Sequence, residues 1–397
     1  MPNPPIDGGA QVMHFTTRGL LANNVDVKTL AINPTRSYVN LDSIPKEYVV
    51  STRFECVTVD TNINPARLIS NTLRSESYFI ERFISSNFEK KLKSILQTEC
   101  FDIIQLEHLY LCKYINTIKN NSTAKIILRP QNIEYIIWER YINNVNNPIK
   151  KIALRIATNR LKKYEQKIGS ELDGVIALTK EDADIFKSFN NNAPIIIIPM
   201  GYDYEKLNNY NFEKQFDHAP IVYHLGSMDW LPNVEAVEWF LKNVIPLLEK
   251  KQFNGKIIIA GRKMPKWVFQ HRSKIVDIIG EVNSPVEFQE EKQIMIVPLL
   301  SGSGIRAKII EGLALGKTII ATTIGAQGID YENGKNILIA DTPDEFANQI
   351  IKCVNSKEFC MTTSKNARQL SMKNYHYNIS AKNMIDFYHT LLGIGNI

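Results

Sequence analysis

Short runs of isoleucine and valine recur along this chain, and each is followed by a turn and a stretch with helical periodicity. The runs are dense in β-branched residues, which is typical of strands buried on both faces. Strands that alternate with helices predict an α/β fold with doubly wound parallel sheets. The predicted strands are Val27–Ile32, Tyr48–Val50, Ile103–Leu106, Lys125–Leu128, Gly174–Leu178 and Ile195–Ile198, then Ile221–Leu225, Lys256–Ala260, Val276–Ile279, Gln293–Pro298, Thr318–Thr322 and Asn336–Ile339.

A polar segment, 205–220, separates the two sets of predicted strands and has neither a helical nor a strand period. A chain of 397 residues is long enough for two domains. We therefore predict a first domain over 1–204, a linker over 205–220, a second domain over 221–374 and a closing helix over 375–397. Two facing Rossmann-like domains of this kind would bind ligands in a cleft at the carboxyl ends of their strands.

Composition excludes several classes of protein. The net charge of +6 suits an anionic ligand or an anionic membrane surface, but without an RNA-recognition motif it is too small to indicate a nucleic-acid partner. The 5 cysteines are odd in number and lack metal-ligand spacing, so we expect free thiols in a reducing compartment. No apolar run reaches the roughly 18 residues of a membrane-spanning helix. A cytoplasmic location is the expectation, with neither a cofactor nor a metal.

The strongest local feature is a glycine-rich turn between a predicted strand and a predicted helix. The strand leads into Ser301–Gly304, and the helix that follows is predicted to end before Gly316. Glycines let the backbone approach a ligand closely, and the free amides at a helix start attract anions. Arg306 and Lys308 add positive charge in the first turn, where the helix dipole alone favours acidic residues. This combination predicts a diphosphate site.

Local sequence leaves other interpretations of this segment open. It could be a tight turn with solvated cations, or a dinucleotide-binding turn, because Gly302–Ala307 fits G-x-G-x-x-A. The next strand ends in Ala321–Thr323, where a ribose-binding carboxylate would be expected, and its absence disfavours the dinucleotide. Glu311, one turn after Lys308, would either form a surface ion pair or accept hydrogen bonds from sugar hydroxyls.

Several segments together resemble the GT-B-fold retaining glycosyltransferases of the large family 4 type, glycosyl transferases group 1, which includes bacterial polysaccharide enzymes. Each match is weak singly, but their order and spacing along nearly the whole chain are specific. The segments are PNPPIDGGAQ at 2–11, LRPQNIEYIIWERY at 128–141, LDGVIALTKEDADIF at 172–186, IPMGYD at 198–203, YHLGSMDWLPNVEAVEWF at 223–240, IAGR at 259–262, QIMIVPLLSGSGIRAKIIEGLALGK at 293–317 and TTIGAQGID at 322–330.

The resemblance implies that the second domain binds a nucleotide-sugar donor without a metal. Arg306 and Lys308 would neutralise the diphosphate, and Glu311 would contact and orient the donor. These three residues and His108 are the predicted catalytic residues. The implied donor-binding residues are Gly226, Ser227, Asn233, Arg262, Val282, Gly302, Ser303, Gly304, Glu311, Gly325 and Gly328.

Two departures from the family pattern affect the donor site. The first glutamate of the family's E-x7-E pattern is replaced by Ser303, so sugar recognition is expected to differ. The segment Met228–Asn233 lacks an Arg and a Lys that many members carry there. We expect Arg306 and Lys308 to supply this missing charge.

For the first domain, the resemblance implies a double-glycine loop, Gly8 and Gly9, close to the diphosphate. His108, after the strand Ile103–Leu106, would lie near the transferred sugar, although a hydrogen-bonded structural histidine is the alternative. Gln131 stands where the family often has histidine, which puts base chemistry there in doubt. The residues predicted to shape the acceptor site are Arg129, Gln131, Asn132 and Glu134.

A basic helix is predicted over 149–168, with Glu165 as its one acidic residue. Ile149, Ile152, Ile156 and Tyr164 give it an apolar stripe. The stripe either packs against the protein, which leaves an ordinary solvated helix, or rests on an anionic membrane that holds a lipid-linked acceptor.

Asp182 and Asp184 imitate a D-x-D metal motif, but they follow Thr179 at a helix start, where acidic residues are expected for dipole reasons.

Family members begin with a hydrophobic strand before the proline-rich loop, which here begins at Pro2. The first strand is therefore predicted to be missing, with a natural start upstream of Met1 or a truncated chain.

The function predicted from the sequence is transfer of a sugar from a nucleotide-sugar to a glycan or lipid-linked acceptor, with retention, in cell-surface polysaccharide synthesis. The enzyme would be cytoplasmic, with possible peripheral contact at the inner face of a membrane. A non-catalytic homologue that binds a nucleotide-sugar or a partner transferase is the alternative from another class. A sugar-nucleotide dehydrogenase or epimerase is a third.

Overall fold

A computed structural model describes residues 1–5, 7–62, 77–143, 145, 147–189, 192–207, 210–302 and 304–395, without the side chain of Lys206. The chain divides into two compact units. The first unit comprises Met1–Gly201, Ser303–Ile305 and Tyr377–Ile397, and the second comprises Tyr202–Gly302 and Arg306–His376.

The first unit alternates strands and helices as the sequence predicts. In chain order its elements are α1 Gly8–Ala22, β1 Leu30–Pro34, α2 Lys46–Ser51, β2 Glu55–Val59, α3 Tyr78–Glu81, α4 Ser86–Thr98, β3 Ile103–Leu106, α5 Ile115–Lys119, β4 Lys125–Leu128, α6 Glu134–Asn143, α7 Pro148–Ile168, β5 Gly174–Ala177, α8 Lys180–Ser188 and β6 Ile195–Ile197. Short 3₁₀ turns occupy Thr35–Ser37, Leu41–Ser43, Leu109–Tyr114 and Gly169–Glu171.

The described strands of the first unit form two parallel sheets. Strands β1 and β2 pair with Leu30 opposite Glu55. The other sheet has the order β3-β4-β5-β6 and is covered on both faces. Leu128 and Val175 pack on one face with Leu161 of α7, whereas Ile127 and Ile176 belong to a cluster on the other face. Burial on both faces explains why these strands are apolar at consecutive positions.

The second unit contains the remaining strands in a six-stranded parallel sheet of order β12-β11-β10-β7-β8-β9. Its elements are β7 Ile221–Leu225, α9 Leu231–Trp239, α10 Ile245–Lys250, β8 Lys256–Ala260, β9 Val276–Gly280, α11 Pro285–Gln289, β10 Ile294–Val297, α12 Ala307–Ala314, β11 Thr318–Ala321, β12 Leu338–Ile339, α13 Pro343–Asn355 and α14 Lys357–Asn374. A π-helical segment, Phe240–Val244, joins α9 to α10, and 3₁₀ turns occupy Glu205–Leu207, Phe212–Asp217 and Val268–His271.

The last helix, α15 Tyr377–Leu392, belongs to the first unit. It packs along α1, where a Cβ on Gly19 would come within 2.8 Å of the Cβ of Ala381, so glycine permits the close approach. Met384 and Phe387 of α15 complete the cluster on the second face of the four-stranded sheet. None of the helices that the structure describes is both long and apolar enough to cross a bilayer.

The segment 205–220 lies within the second unit. The buried side chain of Gln215 donates from Nε2 to the carbonyl oxygen of Gly316 at 2.8 Å and accepts from Nζ of Lys317 at 2.8 Å. Lys317 is also buried and donates to the Tyr210 hydroxyl at 3.0 Å. These bonds attach a polar segment that lacks any sequence period to the body of the unit.

One predicted strand is wrong. Tyr48–Val50 lies in helix α2, in which Tyr48 is buried while Val49 and Val50 are exposed. A strand in the core would bury residues on both faces, so an apolar triplet with one buried member fits a short surface helix. The strand that pairs with β1 is β2, which was not predicted because Glu55 and Thr58 interrupt its apolar pattern.

Candidate functional site

The sheet of the second unit reverses its strand order between β7 and β10. The chain leaves β7 toward β8 on one side and leaves β10 toward β11 on the other. In sheets of this kind, the loops after the two central strands diverge at the carboxyl edge and leave a ligand-binding crevice. Here the loop after β7 contains Gly226 and Ser227, and the loop after β10 contains Ser301–Gly304.

The turn after β10 requires glycine. Gly302 has φ +120° and Gly304 has φ +75°, which side chains disfavour. A Cβ on Gly302 would also come within 2.9 Å of Nη2 of Arg306 and 3.3 Å of the Trp230 ring. The Ser301 hydroxyl donates to Oε2 of Glu235, on α9, at 2.7 Å and so holds the start of the turn. Ser303, predicted to contact the donor, lies outside the described residues.

The two predicted cations lie where this turn enters α12. Arg306 is the N-cap residue of α12 and is 4% exposed, with its guanidinium 5.7 Å from the centre of the Trp230 ring. Its Nη2 donates to the carbonyl oxygen of Ile324 at 3.5 Å. Arg306 is therefore buried and not solvated. This contradicts the alternative of a turn with solvated cations.

Lys308 is directed to the loop after β7. Its Nζ donates to Oδ1 of Asn233 at 2.9 Å, and Nδ2 of Asn233 donates to the carbonyl oxygen of Ser227 at 2.8 Å. A Cβ on Gly226 would come within 2.8 Å of this Nζ. The tertiary structure thus brings Lys308 next to Gly226, Ser227 and Asn233, from which it is far removed in sequence.

The electrostatics of the cation pair favour an anionic ligand. Burial lowers the pKa of Lys308 to about 7, and the neighbouring charge of Arg306 contributes to the shift. An ammonium that is disfavoured by burial and by a second cation regains its proton affinity when an anion binds beside it. The pair is therefore suited to a phosphate group.

Glu311 lies one turn further along α12. Burial raises its pKa to about 7, partly offset by a hydrogen bond with the Gln289 side chain. The Tyr223 hydroxyl donates to Oε1 of the same Gln289 at 2.8 Å. Within the part of the chain that the structure describes, no ion pair joins Glu311 to Lys308, because Lys308 donates to Asn233 and Glu311 is hydrogen-bonded to Gln289. The alternative of a surface ion pair is therefore wrong.

The other predicted donor residues border the same carboxyl edge of the sheet. The half-buried Arg262 follows β8, and its carbonyl oxygen accepts from the amide of Met228 at 2.9 Å. Val282 follows β9 and is half-buried. Gly325 and Gly328 lie in the loop after β11, where the Gly325 amide donates to Oγ1 of Thr322 at 2.9 Å and Gly328 has φ +81°. Five successive parallel strands thus contribute to one edge.

In the first unit, Gly8 and Gly9 form the first turn of α1 instead of a loop. Asp7 is the N-cap residue, and its Oδ1 accepts from the amide of Ala10 at 2.8 Å. A carboxylate of the chain itself therefore occupies part of this helix start. The diphosphate contact expected of the two glycines stays a prediction.

Arg129 is a fully buried residue that supports its neighbours. Its Nη1 donates to Oγ1 of Thr16 at 2.5 Å and lies 3.4 Å from Oε1 of Glu107. Nε2 of Gln131 donates to Oε2 of Glu107 at 3.0 Å. Glu107 is not among the site residues predicted from the sequence, although it directly precedes His108. Glu107 joins Arg129 and Gln131 at the carboxyl ends of β3 and β4.

His108 stacks on Tyr110, with ring centres 4.9 Å apart and an angle of 14° between the planes. Burial lowers its pKa to about 3, which favours the neutral imidazole near pH 7. The half-buried Asn132 precedes α6, and burial raises the pKa of Glu134, the first residue of α6, to about 7. Contact of these residues with an acceptor stays a prediction.

Glu165, the one acidic residue of the basic helix α7, has a structural explanation. It is fully buried, and its two carboxylate oxygens each accept a backbone amide, from Glu134 and Tyr135, at 3.1 Å. It therefore satisfies amides at the start of α6. Burial raises its pKa to about 8.

The Asp182 and Asp184 pair does not form a joint site. The amide of Asp182 donates to Oγ1 of Thr179, the N-cap residue of α8, at 3.1 Å. Asp184 is exposed and pairs with Lys180 at 2.7 Å. The helix-start interpretation accounts for both.

Comparison with known proteins gives a family match for part of the chain. Residues 219–356 match the family model described as "Glycosyl transferases group 1". The chain is 24% identical over 303 residues to an "Uncharacterized 44.6 kDa protein in cps region" of Klebsiella pneumoniae, covering 72% of this chain and 74% of that protein.

Two solved structures share the fold along nearly the whole chain. Sucrose-phosphate synthase from Thermosynechococcus elongatus superposes with a TM-score of 0.68 at 14% identity, covering 98% of this chain and 94% of that one. HepE from Anabaena, solved in complex with UDP, gives a TM-score of 0.62 at 12% identity, covering 96% of each chain. The chain therefore has the two-domain GT-B fold, and its residues 219–356 are similar to the glycosyl transferases of group 1.

Proposed function

We propose that this protein transfers a sugar from a nucleotide-sugar donor to a glycan or lipid-linked acceptor, with retention of anomeric configuration and without a metal. The observation that carries the proposal is the pair Arg306 and Lys308 beside the glycine turn, at the switch point of the second sheet. UDP bound to HepE, which has the same fold, supports a nucleotide-sugar donor. The relative in a cps region supports a role in cell-surface polysaccharide synthesis.

In the proposed reaction, the bond between the sugar and the diphosphate breaks and negative charge develops on the leaving diphosphate. Arg306, Lys308 and the amides of the glycine turn would stabilise that charge. Asn233 positions Lys308 through the 2.9 Å hydrogen bond between Oδ1 and Nζ. Glu311 would accept hydrogen bonds from donor hydroxyls.

The experiment is to measure UDP binding and donor turnover for the unchanged protein and for Lys308→Ala. Loss of a charge-assisted hydrogen bond costs about 1.5–3 kcal/mol, so we expect the Kd for UDP to rise about tenfold to a hundredfold. Lys242→Ala is the matched control, because Lys242 is an exposed lysine of the same unit that pairs with Glu238. Equal affinity in the unchanged protein and Lys308→Ala would contradict the proposed diphosphate site.

Donor turnover separates the enzyme from a non-catalytic homologue. A panel of nucleotide-sugars is incubated with the protein, and release of nucleoside diphosphate is followed with and without EDTA. We expect release from at least one donor at a rate that EDTA leaves unchanged, and an α-linked product from an α-linked donor by NMR. Donor binding without any release, even by slow hydrolysis, would favour the non-catalytic alternative.

A further inference from the structure

The basic helix α7 turns its isoleucine stripe away from the protein. Thr158, Leu161 and Glu165 are buried and define its inner side. Ile149, Ile152 and Ile156 lie on the opposite side and are 79%, 58% and 44% exposed. Spacings of three and four residues place the three isoleucines on one helical face. For the three isoleucines, the expectation that the stripe packs against the protein is therefore wrong, whereas Tyr164, the fourth residue of the predicted stripe, is half-buried and packs against the core of the first unit.

Basic residues continue and flank the same face. At 100° per residue, Lys163 and Lys167 lie in line with the isoleucines, and both are exposed. Arg155 flanks the stripe on one side and is exposed as well. Among the residues that the structure describes, none of these three cations forms an ion pair with a carboxylate. Lys162, nearer the inner side, pairs with Glu139 at 3.5 Å. We call this outer face the Ile149–Lys167 surface.

We propose that the Ile149–Lys167 surface docks on the interface of an anionic lipid bilayer. The stripe would enter the boundary between headgroups and acyl chains, and the cations would meet the lipid phosphates. The charge of the exposed cations is complementary to that of an anionic bilayer, which favours a lipid surface as the partner. A second copy of the chain, paired through the same surface, would bring two sets of unpaired cations together, which is repulsive.

Two components of the binding can be separated. The ionic component weakens with salt, because the screening length falls from about 10 Å at 0.1 M to about 3 Å at 1 M. The apolar component persists in salt and depends on the isoleucines. Neither component requires a nucleotide-sugar, so membrane binding can be tested independently of sugar transfer.

The experiment is co-sedimentation of the full chain with vesicles of phosphatidylcholine containing about 30 mol% phosphatidylglycerol. We expect binding to these vesicles and at least about tenfold weaker binding to phosphatidylcholine alone. The variant I149S/I152S/I156S and the variant R155A/K163A/K167A should each weaken binding about tenfold or more. All altered side chains are exposed, so folding should be retained, as circular dichroism can verify.

Matched controls use sites elsewhere on the surface. V50S changes an apolar residue of α2 that is 76% exposed, and K250A/K266A/K274A removes exposed lysines of the second unit. Both controls should bind vesicles like the unchanged protein. Equal loss in control and test variants would show that net charge alone drives binding and would overturn the assignment to this surface.

A direct readout comes from placing a fluorophore in the stripe. The tryptophan of I152W should be quenched by brominated acyl chains in anionic vesicles, whereas that of V50W should not. Absence of vesicle binding by the unchanged protein would overturn the proposal. So would a self-association, measured by analytical ultracentrifugation without lipid, that the triple serine variant abolishes, because it would assign the surface to a second copy.

Discussion

Lys308 is the residue whose surroundings lead to the clearest prediction about pH. Burial and Arg306 lower its pKa to about 7, so without ligand it loses its proton above that pH. A bound diphosphate favours the ammonium, and UDP binding above pH 7 must therefore take up a proton. We expect the affinity for UDP to fall as pH rises from about 7 to 9, by at most about tenfold per pH unit. Isothermal titration calorimetry in buffers of different ionisation enthalpy measures both quantities.

Glu311 titrates in the same pH range, since burial raises its pKa to about 7. Its contribution to the pH dependence of UDP binding therefore has to be separated from that of Lys308. Glu311→Gln should keep the decline in affinity above pH 7, because Lys308 is intact. Lys308→Met should bind UDP weakly and with little pH dependence in this window. A decline that persists in Lys308→Met but disappears in Glu311→Gln would assign the proton to the glutamate instead.

At the scale of elements, the turn between β10 and α12 depends on glycine for two separable reasons. Gly302 has a positive φ, and a Cβ added there would also come within 2.9 Å of Nη2 of Arg306 and 3.3 Å of the Trp230 ring. Gly334, in the same unit, has φ +80° with no atom within 4 Å of an added Cβ. Substitutions at Gly302 and Gly334 can therefore distinguish the effect of backbone strain from the effect of displacing Arg306.

We expect Gly334→Ala to lower the free energy of unfolding by about 1 kcal/mol and to leave UDP binding unchanged. Gly302→Ala should incur a similar loss of stability and should weaken UDP binding about tenfold, because its Cβ displaces the Arg306 guanidinium. Denaturant unfolding and calorimetry measure the two effects. If both variants bound UDP equally well, the turn would not position Arg306 for the ligand.

At the scale of the whole molecule, the cations and amides proposed to hold the diphosphate come largely from the second unit, which has its own core. A ligand that binds only the folded protein stabilises it by about 2.7 kcal/mol when present at one hundred times its Kd. We therefore expect UDP to raise the melting temperature of the second unit.

Hydrogen exchange locates the effect. Protection by UDP is expected in 226–233 and 301–308, whereas the four-stranded sheet of the first unit, β3–β6, serves as the internal reference. Equal protection across both sheets would indicate a general effect on stability and would contradict the assignment of the diphosphate site to the loops after β7 and β10.

The strands of the second unit could be predicted nearly to the residue. Ile221–Leu225 and Lys256–Ala260 match β7 and β8, because central parallel strands are apolar at nearly every position and form short dense runs. The pairing of β1 with β2 could not be predicted in the same way. Its strands are partly exposed, so their residues mix polar and apolar types as surface helices do.

The sequence by itself determined the class of fold, the location of the glycine turn and its two cations, because strand burial and turn chemistry are local in sequence. Only the tertiary structure decided what those residues face. Asn233 meets Lys308 because two strands distant in sequence are neighbours in the sheet. Glu165 caps α6 and the isoleucines of α7 point outward for a similar reason. A helical stripe identifies residues that share a face, but the packing of other elements decides which face is buried.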